Sequence, residues 1–165
     1  MTVLTQTAVL SPTATVTINA AFLQEIKDVN QELWMLQADL RHRFQRPVAP
    51  GHGRFLIDKL CTLRDQLALH FSLEEAYGYF EDPIDVAPQL SRAAERLRAE
   101  HQELYLDLCN LVERSERMFY DEQHAALALW LGPEFLEFDT RLRSHEDREN
   151  DLIMEAYDGD IGVGD

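Results

Sequence analysis

The sequence predicts an all-α fold, an up-down-up-down antiparallel four-helix bundle, and three observations carry that prediction. Apolar residues recur at helical spacing over long stretches, as in Leu56, Leu60, Leu63 and Leu67, with no sustained strand alternation and no short internal repeat. Short segments marked by Pro, Gly or polar residues separate these stretches into four. At 165 residues and 45% hydrophobic content, the chain suits one domain with its own core and is short for two.

Residues 1–16 are rich in Thr, carry Pro12 and show no helical period, so they are expected to form an N-terminal arm outside the core. The bundle is expected over 17–157. Its first helix runs from Thr17 to Phe44, with Ile26, Asn30, Leu33, Leu36 or Gln37, and Leu40 on one face. It stops before Pro47, and the PVAPGHG segment that follows reads as a turn. The second helix spans Arg54 to about Phe80, and its seam is Leu56, Leu60, Leu63, Leu67, His70, Glu74 and Tyr77. Pro83 marks the next connection.

The third helix begins near Pro88, where a missing N–H costs little in the first turn, and its seam runs Leu90, Ala94, Leu97, His101, Leu104, Leu108, Leu111. A turn is expected near residues 119–123, and Gly132-Pro133 reads as either a kink or a second helix start. The fourth seam is Phe135 or Phe138, then Leu142, His145, Glu149, Leu152 and Ala156. The acidic, Gly-rich tail 158–165 is expected to leave the bundle.

Thirty acidic residues against 15 basic ones give a net charge of −15, which disfavours nucleic acid and anionic membrane surfaces as partners. No segment reaches the roughly 18 apolar residues of a membrane span. The first residues lack the basic flank and apolar run of a signal peptide, so a cytoplasmic protein is expected. Cys61 and Cys109 show no C-x-x-C spacing and read as core or boundary residues.

A histidine and a carboxylate one turn apart on an apolar seam need partners, because burying either alone is costly. Heights along antiparallel helices compare by reflection through the turns. The midpoint of positions 30 and 70 is 50, that of 70 and 101 falls between 85 and 86, and that of 101 and 145 is 123, all in expected turns. At about 1.5 Å of rise per residue, Asn30, His70, His101 and His145 therefore share one layer. Glu74 and Glu149 each follow a histidine by one turn on the same face. His70, Glu74, His101, His145 and Glu149 are the candidate metal ligands. Mixed imidazole and carboxylate donors suit iron or manganese, whereas structural zinc usually recruits cysteine. The same layer also admits a metal-free reading, in which protonated histidines pair with the two glutamates.

Other residues carry less. Tyr77, one turn beyond Glu74, either bonds a ligand carboxylate or fills core space. Glu75 and Glu146 read as solvated, Trp34 and Trp130 as packing residues, and His42, His52 and His124 as surface. No residue is nominated as catalytic.

The segments HFSLE at 70–74, EHQEL at 100–104 and HEDRE at 145–149 resemble the hemerythrin-like (HHE cation-binding) family, bacterial branch, and the resemblance spans about residues 18–157. It implies a non-haem di-iron centre in which Glu74 and Glu149 bridge, His101 and His145 hold one iron, and His70 holds the other together with a helix-one histidine. Asn30 stands where that last histidine is expected. The departure leaves an open coordination position, a weakly held second metal, or a site without iron. The implied function is binding or sensing of O2 or a related small ligand, or iron handling. Two further functions stay open: a di-iron oxidase or peroxidase, and a metal-poor bundle acting as an interaction module.

Overall fold

A computed structural model describes residues 15–82 and 87–161 of the chain. It comprises β1 (Thr15–Ile18), α1 (Ala20–Val29), α2 (Gln31–Phe44), α3 (Gly53–Leu73), a π-helical turn (Glu74–Gly78), β2 (Tyr79–Asp82), α4 (Pro88–Tyr120) and α5 (His124–Ile161). The class is all-α, and among the described residues the only sheet is the antiparallel pair β1–β2, which aligns Thr15 with Asp82 and Ile18 with Tyr79.

Each boundary has a local cause. Asn19 caps α1 by accepting from the Phe22 amide at 3.3 Å. The single first helix expected from sequence is two helices, because Asn30 sits at φ −85°, ψ 38° and divides α1 from α2. The indole of Trp34 bonds the Lys27 carbonyl at 3.1 Å across this break, so that group is not left bare. Gly51, at φ +81°, makes the turn into α3. Pro88 lies in the first turn of α4. At the far end of α4, Glu122 takes φ 59° and the Gln123 amide returns to the Met118 carbonyl at 2.9 Å, a Schellman-type stop.

Three further expectations are corrected, one of them in part. The second helix does not continue to Phe80: it widens into the π turn after Leu73 and becomes extended at Tyr79. Of the two readings of Gly132-Pro133, a kink or a second helix start, the second start is excluded, since α5 runs through both residues. Strand structure is present, because the β-branched Thr15–Ile18 segment finds a partner more than sixty residues away, which no local pattern announces. The arm expected over 1–16 thus has its last two residues in β1; residues 1–14 lie outside the described residues, as do 162–165 of the tail, while α5 extends to Ile161.

α2 packs against α3 and α5, and α4 packs against the same two helices. A large apolar cluster includes Leu33, Leu67, Leu104 and Leu142; a smaller one includes Leu23, Tyr79, Leu97 and Leu152. Between the two, every helical stretch carries polar residues: Lys27 and Asn30 between Leu23 and Leu33, His70 and Glu74 between Leu67 and Tyr79, His101 between Leu97 and Leu104, His145 and Glu149 between Leu142 and Leu152. The apolar clusters seal this layer from both ends. No helix among the described residues is long and apolar enough to cross a membrane.

Candidate metal centre

The five residues expected as ligands are all in the layer, and all are buried, His101 at 2% exposure and the other four at 0%. Glu74 stands between two histidines: its Oε1 is 3.0 Å from His70 Nε2 and its Oε2 is 3.4 Å from His101 Nε2. Glu149 Oε1 lies 3.9 Å from His101 Nε2. The imidazoles of His101 and His145 are 5.0 Å apart between centroids, and ligand atoms of His101, His145 and Glu149 lie within 4.8 Å of one another.

The outer ring nitrogens fix the tautomers. His101 Nδ1 faces Glu75 Oε1 at 3.2 Å and His145 Nδ1 faces Glu100 Oε2 at 3.1 Å. A carboxylate only accepts, so in each neutral ring the proton sits on Nδ1 and the Nε2 lone pair points into the layer. Glu100 is itself held by both guanidinium nitrogens of Arg148, at 2.7 and 2.6 Å. His70 is built the opposite way. Asn30 Nδ2 is 2.9 Å from the Ile26 carbonyl, which can only accept, and the same Nδ2 is 2.9 Å from His70 Nδ1. The amide donates to both, so His70 carries its proton on Nε2 and aims it at Glu74. Asn30 is therefore a partner of the outer face of His70, not a ligand-position residue facing the layer.

Sequence reasoning missed Lys27 and Tyr79 and misplaced Glu146 and Tyr77. Lys27 is buried, with its ammonium 2.6 Å from Glu149 Oε2, ion-paired with Glu146 Oε2, and 4.0 Å from Glu74 Oε1. A signal existed: Leu23, Lys27, Asn30 and Trp34 are spaced 4, 3 and 4, a second seam beside the one read from Ile26. Glu146 is not solvated; it is 13% exposed, bonds Lys27 and lies 3.7 Å from His70 Nε2. Glu75 is exposed as expected, yet its carboxylate holds His101. Tyr77 is 57% exposed and stacks on Phe22, while Tyr79, 1% exposed, donates its hydroxyl to Glu149 Oε1. The π turn moves the inward position from 77 to 79, because its wider turn adds a residue between Glu74 and the next inward side chain. His42, His52 and His124 are exposed, and Cys61 and Cys109 are unbridged and partly buried.

Charges in the layer are strongly displaced. Burial pushes the Glu74 carboxyl up to about 8, with His70 opposing and Glu149 adding to the rise. Burial, with His145 next, depresses His101 to about 3 and keeps it neutral. Burial alone would raise Glu146 and Glu149; His70 and Lys27 bring Glu146 down to about 2, and Lys27 holds Glu149 below its ordinary value. Lys27 is raised despite its burial by Glu146, Glu149 and Glu74. Burial works against a charge on His70, while Glu146 and Glu74 favour one and bring the balance to about 9. A second proton would sit on Nδ1 facing the Asn30 N–H at 2.9 Å, so the hydrogen-bond geometry favours the neutral ring.

The residues fit a cation. The Nε2 atoms of His101 and His145 and Oε2 of Glu74 have no hydrogen-bond partner although they are buried, while Glu74 Oε1 faces the His70 N–H at 3.0 Å. Leaving such atoms bare costs about 1–3 kcal/mol each, and a metal ion at their meeting point satisfies them together. Phe71 stacks on His101 at 4.2 Å and meets His145 edge-on at 5.8 Å, holding both rings in place. Trp34 packs its edge against His70 at 5.0 Å. Comparison with family models, with curated proteins and with solved structures finds none that matches this chain.

Proposed function

We propose that this chain is a hemerythrin-like four-helix bundle whose buried layer holds non-haem iron and binds O2 or a related small ligand there. The observation that carries the reading is the pair of buried imidazoles, His101 and His145, each with Nδ1 held by a carboxylate and Nε2 without a partner, grouped with Glu149 within 4.8 Å. That carboxylate–histidine arrangement is the usual way a protein presents imidazole to a metal.

The bundle topology draws support from the two apolar clusters. Passing from α1 into α2 the chain meets the small cluster first, then the layer, then the large one; α3 takes the reverse order, α4 reverses again and α5 once more. Consecutive helices run in opposite directions on that reading. Iron is favoured by the mixed nitrogen and oxygen donors and by the resemblance of the three His/Glu segments.

When bound, such an ion supplies coordination positions that the protein does not fill, open to a small exogenous ligand. The chain does the rest. Glu75 and Glu100 orient the imidazoles, Tyr79 fixes Glu149, and the apolar clusters keep bulk water out of the layer. A metal-free layer held by Lys27 leaves His145 without a partner at Nε2 and offers His101 only a protonated Glu74 at 3.4 Å, which is why the metal reading is preferred.

The test is metal analysis of protein purified from iron-rich medium, alongside His101→Ala and His145→Ala. Iron near one equivalent per chain that both substitutions abolish, with a visible band that shifts on adding azide or O2, supports the reading. Less than about a tenth of an equivalent of any transition metal in the unsubstituted protein overturns it.

A further inference from the structure

Two carboxylates that bridge a metal pair present one oxygen to each ion. Glu74 and Glu149 are split in this way. Glu74 Oε2 and Glu149 Oε1 face His101 Nε2, at 3.4 and 3.9 Å. Glu74 Oε1 and Glu149 Oε2 face the other way: Glu149 Oε2 meets the Lys27 ammonium at 2.6 Å, and Glu74 Oε1 meets His70 Nε2 at 3.0 Å with the ammonium 4.0 Å away. Glu146, the third carboxylate of the layer, turns to the same ammonium.

We propose that Lys27 is a built-in second cation: its ammonium takes the half of the layer where a second metal ion would sit, so the centre binds one divalent ion per chain, at His101, His145, Glu149 and Glu74. This rests on the metal reading of the layer.

Three independent features converge on that assignment. The ammonium lies among three carboxylates, hydrogen-bonded to Glu146, 2.6 Å from Glu149 and 4.0 Å from Glu74, so it compensates their charge without displacing a ligand from the other half. Charge balances: three carboxylates against one ammonium leave two negative charges, which a single divalent ion cancels, whereas a second ion leaves the buried layer positive. His70, the histidine on the Lys27 side, carries its proton on Nε2 and has no lone pair to offer there, because Asn30 holds Nδ1 as an acceptor. His101 and His145 do offer one.

The position of Lys27 is itself fixed by the helix break. Its carbonyl is taken by the Trp34 indole at 3.1 Å, and Trp34 in turn packs on His70. The break at Asn30 thus sets both the proton on His70 and the placing of the ammonium beside Glu149.

The test is titration of metal-free protein with Co2+ and with Mn2+, the latter followed by electron paramagnetic resonance, which separates an isolated ion from a coupled pair. The unsubstituted chain binds about one equivalent with the spectrum of an isolated ion, and Lys27→Ala and Lys27→Met bind about two, with ions about 3.5–4 Å apart and a coupled spectrum. Lys27→Arg, which keeps the cation, stays at one. Two equivalents in the unsubstituted chain overturn the proposal without any variant. One equivalent in the unsubstituted chain and in every folded Lys27 variant overturns it while leaving the metal reading intact. No binding by the unsubstituted chain overturns the metal reading and this proposal with it.

Discussion

The side-chain amide of Asn30 donates at 2.9 Å both to the Ile26 carbonyl and to Nδ1 of His70, and so sets the proton on a buried histidine from outside the layer it lines. The expected consequence is a divided set of tautomers. Nitrogen-15 imidazole spectra of the metal-free protein should show His70 protonated at Nε2, and His101 and His145 protonated at Nδ1 in their neutral forms. Asn30→Asp turns the donor into an acceptor, so His70 should acquire a second proton. The same substitution places an oxygen against the Ile26 carbonyl and should cost about 1–3 kcal/mol in denaturant unfolding. His70 protonated at Nδ1 in the unsubstituted protein contradicts this account.

Metal removal should make stability depend on pH in a particular direction. In the folded metal-free chain Glu74 holds its proton up to about 8, while an unfolded glutamate releases it near 4.5, so over that window this group makes stability fall as pH rises. His101 acts oppositely between about 3 and 6.5, where the unfolded chain binds a proton that the folded one refuses. The two offset from 4.5 to 6.5, and above 6.5 Glu74 prevails. The Tm of the metal-free protein should therefore drop between pH 6.5 and 8, by several degrees given about 2–4 °C per kcal/mol for a chain of this size. Added divalent metal replaces the Glu74 proton, so it should raise the Tm most at pH 8. Glu74→Gln should abolish the drop. A Tm that holds or rises from pH 6.5 to 8 without metal is the contrary result.

Tyr79 rather than Tyr77 should control the layer. Its hydroxyl bonds Glu149, and its ring meets His101 at 5.8 Å. Tyr79→Phe keeps the ring packing and removes the donor, at a cost of about 1–2 kcal/mol in stability and about 10-fold or more in metal affinity. Tyr77→Phe touches only an exposed hydroxyl and should change neither. Metal titration and thermal unfolding of the two variants separate the roles; equal effects from both contradict the assignment.

The layer was legible because its main residues obey one rule, helical periodicity reflected through turns. His70, Glu74, His101, His145 and Glu149 each replace an aliphatic side chain on a seam, and reflection needs no knowledge of packing. Lys27 and Glu146 escaped because both lie beside a seam, where a long side chain reaches inward or outward with equal ease, and only the neighbouring helix decides. Tyr79 and the helix break escaped for another reason. A π turn after Leu73 and a non-helical Asn30 change the residue count per turn, and periodicity assumes that count is constant. The β1–β2 pair depends on contact between segments far apart in sequence, which periodicity cannot register.

Gly78 closes the π turn and should tolerate no side chain. A Cβ there would overlap Leu23 Cδ2 and lie 2.6 Å from its Cγ, and Leu23 is fully buried. The Gly78 carbonyl also accepts from the Asn19 amide at 2.7 Å, tying the turn to the start of α1. Gly78→Ala must therefore push α1 away or shift the turn, at about 1–3 kcal/mol for overpacking. Either movement displaces Tyr79 or Lys27 from Glu149, so metal affinity should fall together with stability. Leu23→Ala alone should cost about 2–5 kcal/mol by leaving a cavity. In the double variant the new methyl occupies space that Leu23 has vacated, so the combined loss should be smaller than the two single losses added, by at least about 0.5 kcal/mol. A simple sum would contradict contact with Leu23 as the reason for glycine at position 78.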